Sequence, residues 1–385
     1  MTSGRPVGPG PVGREPMGRE PMGHEPGAGK PVELDIGLAA IAPVADGMRS
    51  VRARHAAAAE LDRALWRDLA GFGWLGLRIA EDAGGAGLDP RALCALGEAL
   101  GERLLPEPLL AASLAARLLP ASLRAPVLAG ERVVLPAWRD SAGAVDRGNG
   151  TVLRDGLLFG RKLDVAMARG ADAFLVVLDN GLALVTADAP GLRRDETTAP
   201  GGGNHAALVF DGAPAEGFAA DAAEIGQALD EALLAECAYL LGLAERAFSL
   251  ARPVGPPHGG GRPGGAPSPF APPPSPAGPP DPRLGSLRRD LDLTRAVIAA
   301  AGETLGGAPE PSQRAAIVSR AALRTASGAI MVARGAAQLH GGLGLTAGSD
   351  VGFCLHVVQA LVPRLGSQGA HRARIARAAA TAAAG

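Results

Sequence analysis

Residues 73–88 read Gly73-Trp74-Leu75-Gly76-Leu77-Arg78-Ile79-Ala80-Glu81-Asp82-Ala83-Gly84-Gly85-Ala86-Gly87-Leu88, a glycine-punctuated apolar stretch between two helical segments. Upstream, Leu61, Leu65 and Leu69 recur at i+4 and share one helical face. Downstream, Pro90 suits a first helical turn, and Leu93, Leu96, Leu100 and Leu104 continue an apolar stripe until Pro106 and Pro108. The Gly-Gly pair between them suits a turn, because glycine takes positive φ without a Cβ penalty. Residues 32–128 are therefore expected to form a helical domain.

Beyond it the period changes. Short apolar runs at 133–135, 174–178, 182–186 and 207–210 lie between turn residues, and Asp179-Asn180-Gly181 is a strong hairpin signal. A β domain is expected over 129–222. Helical patterning then resumes: Leu229, Leu233, Cys237, Leu240, Ala244 and Phe248 make one stripe, and Leu287, Leu291, Thr294, Ile298, Ala301 and Leu305 another. Further helices are expected over about 313–339 and 371–384. Two segments stand apart. Residues 1–31 repeat a unit, Gly13-Arg14-Glu15-Pro16-Met17, and residues 253–283 pass through Pro272-Pro273-Pro274. Such Pro and Gly density is expected to give a disordered tail and a flexible insert. The order is helices, sheet, helices, an α+β chain with 223–385 as its C-terminal helical domain.

Composition narrows the function. A formal net charge of -1 argues against a nucleic-acid partner or an anionic membrane surface. Cys94, Cys237 and Cys354 are far apart, lack metal-ligand spacing and cannot all pair, so no metal is implied and a reduced, cytoplasmic setting is expected. No uninterrupted apolar run reaches the ~18 residues of a membrane span. With aromatics at 3% and hydrophobic residues at 47%, the core must be built from Ala, Leu and Val.

The order of segments and four local motifs resemble the acyl-CoA dehydrogenase family. Gly73–Leu77 with Glu81 and Gly84–Leu88 is similar to its N-terminal signature, and Glu98-Ala99-Leu100-Gly101 follows at the usual distance. Gly160-Arg161-Lys162, Val165, Ala168 and Ala171-Asp172 resemble paired strands of its middle domain, and Val209-Phe210-Asp211 its closing strand. Gln338-Leu339-His340-Gly341-Gly342-Leu343-Gly344-Leu345-Thr346 resembles its signature loop. The resemblance implies a C-terminal four-helix bundle, FAD as hydride acceptor, an acyl-CoA substrate, and an oligomer whose cofactor pocket is built across subunits. It assigns Gln338, His340, Gly341, Gly342, Gly344 and Thr346 to the adenosine and pyrophosphate side of FAD. Glycines let backbone N–H groups approach a phosphate, and Gln offers both donor and acceptor. Small residues at Ala321, Thr325, Ala329 and Ala336 suggest a face where a neighbouring subunit can approach.

The sequence departs from the family where the chemistry lies. The resemblance places a Glu base beside the flavin, about two dozen residues after Gly341, and that position is Leu365, before Gly366-Ser367. Other members carry the base on the first helix of the C-terminal domain, ten residues before a glycine. Counting back from Gly242 reaches Ala232, with Glu231 beside it and Glu236 a weaker candidate. Glu231 is thus the expected base, set against a plain reading as a first-turn residue favoured by the helix dipole. The family's Arg-x-x-Phe-Gly segment falls inside the 253–283 insert, where Arg262-Pro263 is a relic at most. The flavin-contacting stretch of the middle domain reads Pro136-Ala137-Trp138-Arg139-Asp140-Ser141, with no equivalent of the family pattern. Three functions remain: an FAD-dependent acyl-CoA dehydrogenase, a non-catalytic partner subunit of a heteromeric one, and a flavin-free scaffold.

Overall fold

The computed structural model describes Met1 and residues 48–56, 60–198, 204–251, 281–346 and 348–384. Apart from Met1, the expected tail over 1–31 lies outside these residues, as do Arg262-Pro263 and nearly all of the insert over 253–283.

The N-terminal helices are α1 (Met48–Arg54), α2 (Arg63–Gly71), α3 (Pro90–Glu102), α4 (Leu109–Leu118) and α5 (Ala121–Leu128). Asp62 caps α2 by accepting from Ala64 and Leu65 N–H, so Leu61 lies just outside the helix it was expected to join, and Trp66 instead fills the buried face. Between α2 and α3 the glycine-rich stretch folds as two short 3-10 turns. Gly85 packs so closely on Ile79 that a Cβ would lie 2.1 Å from its carbonyl oxygen.

Eight strands follow: β1 (Val134–Ala137), β2 (Val152–Arg154), β3 (Leu157–Ala166), β4 (Ala173–Leu178), β5 (Gly181–Thr186), β6 (Leu192–Thr198), β7 (Asn204–Pro214) and β8 (Glu216–Phe218). They form two four-stranded sheets, ordered β1-β4-β5-β8 and β2-β3-β7-β6. The β1–β4 pair is parallel and the other pairs antiparallel. The hairpin turns at Asp179-Asn180, with Leu178 opposite Gly181. In β3 the register slips between Lys162, opposite Leu208, and Val165, opposite Ala206. One extra residue is accommodated there as a bulge, and Asp164 takes a φ of 64°.

The C-terminal region contains α6 (Ala222–Ala251), α7 (Pro282–Gly306), α8 (Pro311–Leu339), α9 (Asp350–Leu361) and α10 (Gln368–Ala384). Helix α7 starts at Pro282, capped by Asp281, so the end of the expected flexible insert is helical. Helix α9 was not expected; its signal was Ser349, whose hydroxyl accepts from Gly352 N–H as an N-cap. Helix α8 contacts α6, α7, α9 and α10. By length and composition α8 is apolar enough to cross a membrane, but half of that stretch is buried within the bundle. Ala321, Thr325, Ala329 and Ala336 are fully or almost fully buried inside this chain, so the face expected to receive a neighbour instead packs the bundle's own core.

Helix α6 also joins the bundle to the N-terminal helices. It crosses α3 closely enough that a Cβ on Gly101 would lie 2.0 Å from Tyr239 O, and one on Gly242 2.0 Å from Glu98 O. Glycine is required at this crossing because backbone meets backbone.

Candidate functional site

A cavity of about 120 Å³ opens where the three regions meet. Leu100, Leu105 and Leu110 line it from the N-terminal side, Met167, Asn204 and His205 from the β domain, and Glu236, Tyr239, Leu361 and Leu365 from the C-terminal region. The Tyr239 hydroxyl donates to Leu105 O at 2.6 Å, which fixes α6 against the chain leaving α3. On the far side Glu107 is buried against Arg54 at 3.0 Å, and burial pushes its carboxyl above the usual range.

Arg364, His205 and Glu236 make the cavity wall beside Leu365 ionic, and Asp164 and Arg139, which do not line the cavity, hold them from behind. The bulge in β3 presents Asp164, whose Oδ2 accepts from Arg139 Nη1 at 2.6 Å and Arg364 Nε at 2.9 Å. Arg364 also donates to Asp164 O at 3.2 Å. Burial would raise the Asp164 carboxyl, but the charges of Arg364 and Arg139 hold it below the usual range. His205 Nε2 lies 3.5 Å from Arg364 Nη1; a guanidinium only donates, so Nε2 accepts and the ring is neutral. Burial, with the nearby Arg364 charge, lowers His205 to about 3. Glu236 closes the group at 3.5 Å from Arg139, its side chain 34% exposed.

The expected site residues are not brought together. Glu231 does not line this cavity. It is buried in α6, where its carboxylate accepts from Arg78 Nε at 2.6 Å, Arg78 Nη2 at 3.1 Å, Gln227 Nε2 at 2.9 Å and Arg117. Burial would push this carboxyl up, but the hydrogen bond from Arg78 and the charges of Arg117 and Arg78 outweigh it and hold it low. A carboxylate so clamped is a poor proton acceptor, and the plain reading of a solvated first-turn residue fails equally. Leu365, 2% exposed, does stand in the cavity wall, as does Glu236, one helical turn beyond Ala232. The sequence reading missed Asp164, Arg139, Arg364 and His205. Asp164 lies in a strand that also carries Arg161 and Lys162, so it did not stand out, and its partners come from 25 to 200 residues away.

The Gln338–Thr346 segment lies elsewhere, separated from the cavity by α9, whose 12 residues span roughly 18 Å at the helical rise. Gln338, His340, Gly341, Gly342 and Thr346 are exposed, while Gly344 is buried against Ala337 O. Gly341 has a φ of 67°, and neither it nor Gly342 has an atom within 4 Å of where a Cβ would stand, so backbone here is open to a ligand. These residues fit the phosphate side of a dinucleotide presented from outside the chain. The cavity does not fit the ring side. A cavity of ~150 Å³ holds one benzene ring, flavin has three fused rings, and the wall they would face carries Arg364, His205 and Glu236.

The profile for the acyl-CoA dehydrogenase N-terminal domain matches residues 39–119. A structure described as a variant of the Tcur3481-Tcur3483 steroid ACAD superposes with a TM-score of 0.71 at 25% identity, covering 91% of this chain and 100% of that one. Residues 39–119 thus match the family's N-terminal domain, and the chain as a whole has the acyl-CoA dehydrogenase fold. The ChsE4-ChsE5 complex from Mycobacterium tuberculosis matches with a TM-score of 0.71 at 23% identity, over 92% of this chain and 98% of that one. A glutaryl-CoA dehydrogenase from Mycobacterium smegmatis in complex with FADH2 matches at 0.69 and 17% identity, over 90% and 94%. These last two show the shared fold. No curated protein matches the sequence.

Proposed function

We propose that this chain is the partner subunit of a heteromeric acyl-CoA dehydrogenase. In this reading a homologous chain carries the base that removes the proton α to the thioester. The present chain contributes its exposed Gln338–Thr346 loop to the FAD held there, and works in the cytoplasm. The observation that carries the reading is the cavity wall: Leu365 stands where the base is expected, and Glu231, the alternative, is engaged by two arginines outside the cavity. Two of the similar structures are described by paired names, Tcur3481-Tcur3483 and the ChsE4-ChsE5 complex, which supports assembly with an unlike partner.

A second reading is favoured by one observation. Among the described residues lining the cavity the carboxylates are Glu107 and Glu236, and Glu236 is held only by a 3.5 Å contact to Arg139. In that reading Glu236 is the base and the chain is itself an enzyme. The test is acyl-CoA oxidation with an artificial acceptor, by the purified chain alone and after co-expression with a co-encoded homologue. The partner reading expects no turnover alone, turnover in the mixture, and little change on Glu236→Gln. Turnover by the chain alone, lost by ~10² or more in Glu236→Gln as general-base removal requires, establishes the second reading instead.

A further inference from the structure

We infer that this chain seats no flavin ring beside Leu365, and that the Asp164 ion network in that place is a closed latch between the β domain and the helical bundle. The argument begins with the bulge. Between Lys162 and Val165, β3 spends one residue more than β7, and the extra residue turns Asp164 toward the bundle with a φ of 64°. A non-glycine residue in the left-handed region is strained and persists only where its surroundings hold it. Here the hold is visible. Arg139 follows β1 and pairs through Leu163 N–H, which donates to Arg139 O at 2.7 Å, so one clamp comes from the β domain itself. The other, Arg364, comes from the turn between α9 and α10 and binds both the carboxylate and the backbone carbonyl of Asp164. Three contacts therefore tie Asp164 to two regions of the chain.

Arg364 lines the cavity beside Leu365, so a planar ring lying there meets its guanidinium and has to displace it from Asp164. Displacement leaves the Arg364 guanidinium without its carboxylate in a mostly buried place, a costly outcome. The cavity that remains is about 120 Å³ and is lined mainly by apolar side chains, six of them leucines. The inference stands on this geometry and not on which chain supplies the base, so it survives failure of the partner reading in part: a chain that oxidises acyl-CoA alone contradicts both, whereas a chain inactive with every homologue leaves the latch untouched.

The test uses the full chain and riboflavin, which carries the flavin ring without the adenosine pyrophosphate that the Gln338–Thr346 loop would take. Fluorescence titration is expected to show no quenching and no band shift up to ~100 µM, about 5.5 kcal/mol in affinity terms. Saturable quenching below that concentration overturns the inference. A second measurement does not depend on flavin. Asp164→Asn and Arg364→Gln are each expected to lower the melting temperature, and the double variant to fall by clearly less than the sum, because both remove the same contact. Strictly additive shifts overturn the latch.

Discussion

Glu231 carries more of the molecule's electrostatics than its place on an alanine-rich helix suggests. Its side chain is 1% exposed and bound by Arg78, Arg117 and Gln227. Replacing it with Gln leaves two arginines at the junction without a carboxylate, and the expected loss is about 2–4 kcal/mol, near the lower end for a broken buried pair because both arginines reach the rim. Denaturant unfolding measures it. The pH dependence has a definite sign. The folded carboxyl lies below its ordinary value of 4.5, so its contribution is complete above that value and disappears as pH falls through the lower folded value. Stability curves of the parent and Glu231→Gln should therefore converge in acid and stay parallel near neutrality. Sequence spacing placed this carboxylate correctly on its helix but not its partners: Arg78 is 153 residues away and Arg117 is 114.

At the scale of elements, periodic patterns were legible and close approaches were not. The stripe from Leu93 to Leu100, the hairpin at Asp179-Asn180 and the change from helices to strands all follow from local spacing, and each is present. The bulge in β3 was invisible because it depends on which residue of β7 lies opposite. The crossing of α3 and α6 was invisible too, although its glycines were in view, because glycine reads as a helix weakener until a neighbour's backbone is known. That crossing gives a paired prediction. Gly101→Ala forces two helix backbones apart and is expected to cost about 1–3 kcal/mol, as overpacking does. Gly285→Ala in α7 meets no atom within 4 Å and should stabilise by about 0.4–1 kcal/mol through the unfolded chain. Thermal melts of the two variants should move in opposite directions.

For the whole molecule, the proposed assembly with a partner points to the surface around the exposed loop. Leu345 is 56% exposed and Met331 50%, and Met331 lines an open groove with Gln338 on the bundle's outer side. Leu345→Asp is expected to change the stability of the chain by no more than about 0.5 kcal/mol, as an exposed substitution does. The same change should reduce co-purification with a homologous partner, read by light scattering. Unchanged assembly would place the interface elsewhere.

The same α3–α6 crossing also fixes when the protein can become itself. Helix α3 ends at Glu102, yet the backbone it packs on is not complete until Ala251, with the whole of the two-sheet domain between them. At about 5–20 residues per second of synthesis, those roughly 150 positions leave the glycine face of α3 waiting about 7–30 s for its partner. During that interval every strand pairing, all between Val134 and Phe218, becomes available. The leucine stripe of α3 shares a core with the N-terminal helices and the sheets, so that side can be covered before α6 exists, and the glycine side is the one left open in the meantime.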